Sequence, residues 1–420
     1  MILDNNVRFL AENTAVSNDT RLTGLNNNDL IIGSSGSGKT GGYVIPNIQG
    51  VSGSLVVTDT KGQLSGIFSD RLRSRGCNVS TLNFVDPEKS CGYNPLTAIR
   101  RKPNGKYREQ DILSLANAIM PVLDQHEPFW QMAACSYIAF LIAFCLEALD
   151  ESDHNLVSVC ELHRAYCKPG GKKNFEMWAW ENPDTFSAKK YYEINSSSSA
   201  EKMWSSIMEF ANRALDPFDF EEARSIFQSG DPFDINLLGR EKTVLFINVS
   251  DTDRTFDQLV NVFYTQALQI LCGQADANPG GRIDVPVRII MDDFAAGTKI
   301  PDFDKVISVI RSREISVSII LQSITQLQSM YSAAEASTII NNCDHLLYLG
   351  NQDIGTAEFI GSRAFKTPEN VLCLPNDQAI LITKGERARL VNKIKPYSTM
   401  VRTADIFPIM EEITAEPMVG

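Results

Sequence analysis

The chain has 420 residues, 43% of them apolar, which is enough for a large buried core and excludes intrinsic disorder. Its 39 basic and 51 acidic side chains leave a formal charge of −12, so no positive sheath draws in nucleic acid non-specifically, and any polyanion must meet a local basic site. Nine cysteines spread along the chain without short-spaced pairs suit buried thiols of a reducing compartment better than a disulfide framework.

The opening stretch MILDNNVRFLAENTAVSNDT carries polar and acidic residues where a secretory signal needs an apolar segment. Residues 29–33 (DLIIG) begin a series of short apolar runs that continues at 54–59, 243–249, 288–294, 317–322, 345–350 and 379–383. Runs apolar on both faces belong in a parallel sheet covered by helices on each side, so the predicted fold class is α/β.

Directly after the first run, residues 33–40 read GSSGSGKT and match G-x-x-x-x-G-K-[ST]. Glycines at 33, 36 and 38 let the backbone curl so that its N–H groups point at phosphates. The loop as a whole (Gly33, Ser34, Ser35, Gly36, Ser37, Gly38, Lys39, Thr40) is the predicted nucleotide cradle, with Lys39 on the β- and γ-phosphates and Thr40 on Mg²⁺.

Between about 96 and 231 the strand pattern stops and helix formers and aromatic residues take over, which predicts a helical insertion. Its most lipid-like stretch, residues 132–146, falls short of the roughly 20 residues a membrane-crossing helix needs, and is expected to be a buried helix of a soluble chain. Cys160, His163 and Cys167 share one helical side but lack a fourth ligand, so a half-buried face is expected there, not a metal site. Ser198 and Glu201 have capping-box spacing ahead of a helix. His126 and the acidic tail from 411 are assigned no chemistry.

After the insertion, RIIMDDF ends an apolar run in two carboxylates. Asp292 is the candidate Mg²⁺ ligand, and Asp293 the group that orients or deprotonates an attacking water. Phe303, Val306, Ile307 and Ile310 are spaced as one helical stripe that ends at Arg311 and Arg313, and Gln322 closes the following run.

Together GSSGSGKT, VVTDTKG, GYNPL, PFWQMAA, IIMDDFA and IRSREISVSIILQS resemble, in order, the coupling proteins of type IV secretion, the TraG/TraD-like conjugative DNA-transfer ATPases. TIINNCDHLLYLG and AEFIGSRAF resemble the family's C-terminal core segments. The resemblance implies a RecA-like P-loop ATPase with a mostly parallel sheet, built from residues 1–95 and 232–420, and an all-α domain at 96–231. It implies ATP and Mg²⁺ as cofactors, Arg311 as an arginine finger reaching a neighbouring subunit of a homo-hexamer, and Gln322 as a γ-phosphate or water sensor. Asp59 and Lys61 match the family's D-P-K-G element, with Thr60 where proline is usual, and the resemblance implies that both are further nucleotide-binding residues.

The implied partners are relaxase-attached single-stranded DNA, relaxosome proteins and components of the secretion channel. The implied location is the cytoplasmic face of the membrane, although the transmembrane anchor usual ahead of the motor is expected to be missing here. A second departure is Asp293, where the family usually has Glu; ATP binding is expected to survive, and the shorter reach either slows turnover or is compensated by a repositioned backbone. Two alternatives stay open: a double-stranded DNA translocase of the FtsK/HerA type, and a nucleotide-gated adaptor that recruits cargo without acting as a motor.

Overall fold

The computed structural model describes residues 6–122, 127–197, 201–230, 232–250, 252–253, 255–294 and 299–395. Eleven strands lie among them: β1 (Val7–Ala11), β2 (Thr14–Ser17), β3 (Asp29–Ile32), β4 (Ser54–Asp59), β5 (Asn78–Asn83), β6 (Thr243–Asn248), β7 (Val287–Met291), β8 (Ile315–Leu321), β9 (His345–Tyr348), β10 (Gln378–Thr383) and β11 (Arg389–Asn392). The first two form a separate antiparallel hairpin. The rest make one sheet in the order β11-β10-β9-β3-β8-β7-β4-β6-β5. All pairings from β9 to β5 are parallel, and only β10 and β11 add antiparallel edge strands.

Each of the seven apolar runs lies on a strand. Successive side chains along a strand face opposite ways, and here the two sets enter two cores. Leu30, Ile32, Val56, Leu245, Ile289 and Ile319 pack towards the helical insertion and helix Asp257–Ala277. Ile31, Leu55, Val57, Phe246, Ile290 and Ile320 pack towards the segment after the P-loop and helix Leu64–Ser74. Burying such a side chain contributes about 1.5–3 kcal/mol, so a sheet covered on both faces demands continuously apolar strands.

Among the described residues from 96 to 231, the regular structure is helical. The central element is helix Phe129–Ala148, whose 20 residues correct the expectation from length, because it is long and apolar enough to cross a bilayer. The expectation of burial holds: residues 137–146 are inside, and Phe140 meets the rings of Tyr137, Phe144, Tyr166, Phe175 and Tyr191. The insertion shares one continuous core with its face of the sheet.

Some local features differ from the sequence reading or lie outside the described residues. The stripe from Phe303 is not one helix: Phe303–Ile307 forms a short helix and Ile310–Arg313 a 3₁₀ turn, while Phe303, Ile307 and Ile310 remain buried. β5, with the polar sequence NVSTLN on the sheet's edge, gave no apolar signal. Ser198, His126 and the tail from 411 lie outside the described residues, although a helix does begin at Glu201.

Candidate nucleotide site

β3 runs into the sheet's C-terminal edge at Ile32, and Gly33–Thr40 turns there into a helix whose first turn, Thr40–Val44, is π-wound. The loop's base is tied to both neighbours of β3, because Gly33 N donates to Leu321 O (3.0 Å) and Ser34 N to Gly350 O (3.0 Å). Its glycines answer two different needs. Gly36 and Gly38 have φ of 77° and 97°, a region that side chains rarely tolerate. Gly33 instead allows close approach: a Cβ there would lie 2.3 Å from Ser37 Oγ and 2.9 Å from Leu349 Cβ. Lys39 Nζ donates to Gly33 O (2.8 Å) and Ser34 O (3.1 Å), which holds its charge within the loop.

In the sheet order, β8 separates the P-loop strand β3 from β7. Three strand ends therefore bring three kinds of group to one edge, where parallel sheets place their ligands. Asp292 and Asp293 follow β7, and Gln322 follows β8. Thr40 Oγ1 lies 3.5 Å from Asp292 Oδ2, and Gln322 Nε2 donates to Asp293 Oδ1 at 3.3 Å. Burial, and then the neighbouring Asp293 charge, push the Asp292 carboxyl up to about 6, against the opposing pull of Lys39. A carboxyl raised in this way is poised for a cation that restores its ionised form. Asp293 N donates to Asp292 Oδ1 (3.1 Å), and Asp293 occupies the left-handed region at φ 52°.

The remaining predicted residues are placed differently. The buried Asp59 accepts from Lys61 N (3.2 Å) and Leu64 N (2.6 Å), so its carboxylate closes the turn after β4 and caps helix Leu64–Ser74. Burial raises its pKa, and those backbone N–H groups oppose the rise. Lys61 is exposed beside that turn. Arg311 precedes β8 and so lies at the opposite edge of the sheet, where its guanidinium donates to Gly24 O (2.7 Å); Arg313 pairs with Asp276 (2.8 Å).

His163 bonds to Tyr137 OH (2.9 Å) and Asn212 Oδ1 (2.6 Å), as a structural histidine does, and no metal-ligating cluster lies among the described residues. Two contributors were invisible in the sequence. Asn351 Nδ2 holds the Gln322 carbonyl (3.0 Å), and Lys393 Nζ donates to Ser37 O (3.1 Å) on the P-loop. The second contact spans 356 positions, and no motif marks either residue.

The arrangement can hold a polyphosphate on loop N–H groups and Lys39, a divalent cation between Thr40 and Asp292, and a water against Asp293 and Gln322. Ser37 Oγ is buried without a hydrogen-bond partner, which suits a loop shaped to take an anion.

Residues 11–364 match the family described as Type IV secretory system Conjugative DNA transfer. Among relatives, the protein VirD4 of Agrobacterium fabrum (strain C58 / ATCC 33970) is 21% identical over 88% of this chain and 58% of its own length. VirD4 of Rhizobium radiobacter is 22% identical over 88% and 57%. The chain thus spans 58% of the length of the first of these relatives. Among solved structures, the unbound bacterial conjugative coupling protein TrwBdeltaN70 superposes with a TM-score of 0.70 at 14% identity, covering 92% of this chain and 88% of that one. The plasmid coupling protein TrwB in complex with ADP and Mg²⁺ gives 0.65 at 15%, covering 87% and 85%. These likenesses establish the shared RecA-like α/β fold. On the match over residues 11–364, the chain belongs to the type IV secretory system conjugative DNA transfer family.

Proposed function

We propose that this chain binds ATP with Mg²⁺ at Gly33–Thr40 and hydrolyses it to move DNA into a type IV secretion channel. The observation that carries the reading is the convergence of Lys39, Thr40, Asp292, Asp293 and Gln322 at one sheet edge. TrwB in complex with a GTP analogue, with an ATP analogue, and with ADP and Mg²⁺, supports a nucleotide with Mg²⁺ as the ligand. Lys39 and the loop N–H groups bind and orient the phosphates. Thr40 and Asp292 fit a Mg²⁺ ion, which when bound neutralises phosphate charge. Asp293 accepts a proton from, or orients, the attacking water, and Gln322 fixes the position of Asp293.

In this reading residues 1–95 and 232–420 form the motor body and 96–231 the helical insertion. Six copies form a ring at the cytoplasmic face of the membrane, with relaxase-attached single-stranded DNA, relaxosome proteins and channel components as partners. Arg311 serves a neighbour's site, and Lys61 is a further nucleotide-binding candidate.

Phosphate release from MgATP, with and without single-stranded DNA, tests the reading. We expect release by the parent, stimulation by single strands, and a loss of about 10²-fold or more in Lys39→Ala. MgATP binding without release, DNA present or absent, would point to an adaptor instead; stimulation by duplex alone would point to a double-strand translocase.

A further inference from the structure

The C-terminal hairpin β10–β11 forms one edge of the sheet, and the chain leaves it directly at the P-loop. Lys393 N donates to Asp377 O (2.8 Å), which fixes where the side chain starts. Its Nζ then donates to Leu349 O (2.6 Å), just past the end of β9, and to Ser37 O (3.1 Å). The next residue also touches this region: a Cβ on Gly42 would lie 3.1 Å from Ile394 O. Two consecutive residues thus rest against the phosphate loop and the turn that follows it.

Lys393 is half-buried, and among the described residues no carboxylate oxygen lies within 4.0 Å of its ammonium. Burial holds its pKa below the ordinary lysine value, with only the more distant Asp377 opposing. A partly buried cation that has only carbonyl partners, beside a loop built for phosphates, gains most when an anion arrives.

The peptide plane gives the contact a direction. The Ser37 carbonyl and the Gly38 N–H belong to one planar trans peptide, so they point opposite ways. Gly38 has φ 97° and no side chain to restrain it. A cation that draws the Ser37 carbonyl one way therefore aims the Gly38 N–H the other way. Lys39 acts likewise on the Gly33 and Ser34 carbonyls.

We propose that Lys393 is a positioning residue for nucleotide binding: from the C-terminal hairpin it clamps the Ser37 peptide to the end of β9 and so presets the phosphate loop. The inference rests on the reading of Gly33–Thr40 as the nucleotide site. Because the clamp acts before chemistry, it governs affinity and KM more than kcat.

The test is calorimetric binding of MgATP together with steady-state phosphate release, using full chains of the parent, Lys393→Met, Lys393→Arg, Gly42→Ala and the Lys393→Met/Gly42→Ala pair, with Lys39→Ala as reference. Lys393→Met should weaken MgATP binding about tenfold and raise KM to match, with kcat within about twofold of the parent. Lys393→Arg should recover most of the affinity. Gly42→Ala, which displaces Ile394 without changing charge, should weaken binding in the same sense, and the pair should be no worse than Lys393→Met alone. Parent-like affinity in Lys393→Met would overturn the clamp. So would equal losses in the Met and Arg variants with a matching fall in melting temperature, since that marks a merely structural contact. If the parent binds no better than Lys39→Ala, the nucleotide reading itself fails, and the clamp fails with it.

Discussion

Asp293 carries the sharpest tension at the scale of single residues. By resemblance the position calls for Glu, and the shorter Asp reads as a loss of reach. Its backbone gives a physical reason for the shorter side chain, because φ is 52°, where Asp and Asn are enriched several-fold over other side chains with a Cβ. The strand end turns sharply there, and Gln322 reaches across to the carboxylate at 3.3 Å. Asp293→Asn keeps the shape and the tolerance for this backbone but loses the proposed base. MgATP affinity should therefore stay near the parent's while phosphate release falls about 10²-fold or more. Asp293→Glu extends the side chain by one methylene in a backbone that disfavours it. It should change the rate of release and lower the melting temperature, and a rate identical to the parent's would count against the assigned role.

Elements were legible where burial dictates composition. The seven apolar runs are strands because both sheet faces are covered, and GSSGSGKT and MDDF stand out as motifs because the phosphate and metal chemistry proposed for them narrows the residues allowed. β5 and β11 lie on the two edges of the sheet, where NVSTLN and RLVN need not be apolar. The contact of Lys393 with the P-loop left no trace in the sequence because it is made by tertiary placement alone. Also illegible was the polar knot that ties the N-terminal hairpin to the sheet. There Arg8 pairs with Asp29 (2.9 Å), both 1% exposed, while Arg288 (3.3 Å) and Tyr43 OH (2.6 Å) meet the same carboxylate and Arg8 Nη2 meets His345 Nδ1 (2.9 Å). Burial works against the ionised Asp29, yet the Arg8 and Arg288 charges hold its pKa below the ordinary value. His345 is lowered chiefly by burial. Both groups take up protons more readily unfolded than folded, so each favours the fold at neutral pH and loses that contribution on acidification: His345 as pH drops below 6.5, and Asp29 as it drops below 3.8. Arg8→Leu leaves a buried carboxylate short of a partner and should destabilise the fold by about 3 kcal/mol or more in urea unfolding. A shift under about 0.5 kcal/mol would mean that the knot is dispensable.

For the whole molecule, the question is how an acidic chain with a one-sided site could act as a motor. A charge of −12 limits non-specific binding but does not bar a narrow basic surface inside a ring. Within one subunit, Arg311 and Gln322 stand at the two ends of β8, whose seven residues span roughly 20 Å, so Arg311 cannot serve its own phosphates. Arg313 is paired with Asp276, whereas the Arg311 guanidinium has a backbone carbonyl as its partner and keeps donors for another ligand. A head-to-tail ring sets a different surface of one copy against the site of the next, which is the geometry an arginine finger in trans requires. Arg311→Ala should therefore keep MgATP affinity while losing about 10³-fold in phosphate release. Mixing distinguishes this from local damage. Arg311→Ala retains an intact P-loop and Lys39→Ala an intact finger, so equimolar mixtures should release phosphate faster than either variant alone, increasingly so at higher total concentration. Mixtures no faster than the average of the two variants, under conditions where the parent is active and assembled, would remove Arg311 from the neighbour's site.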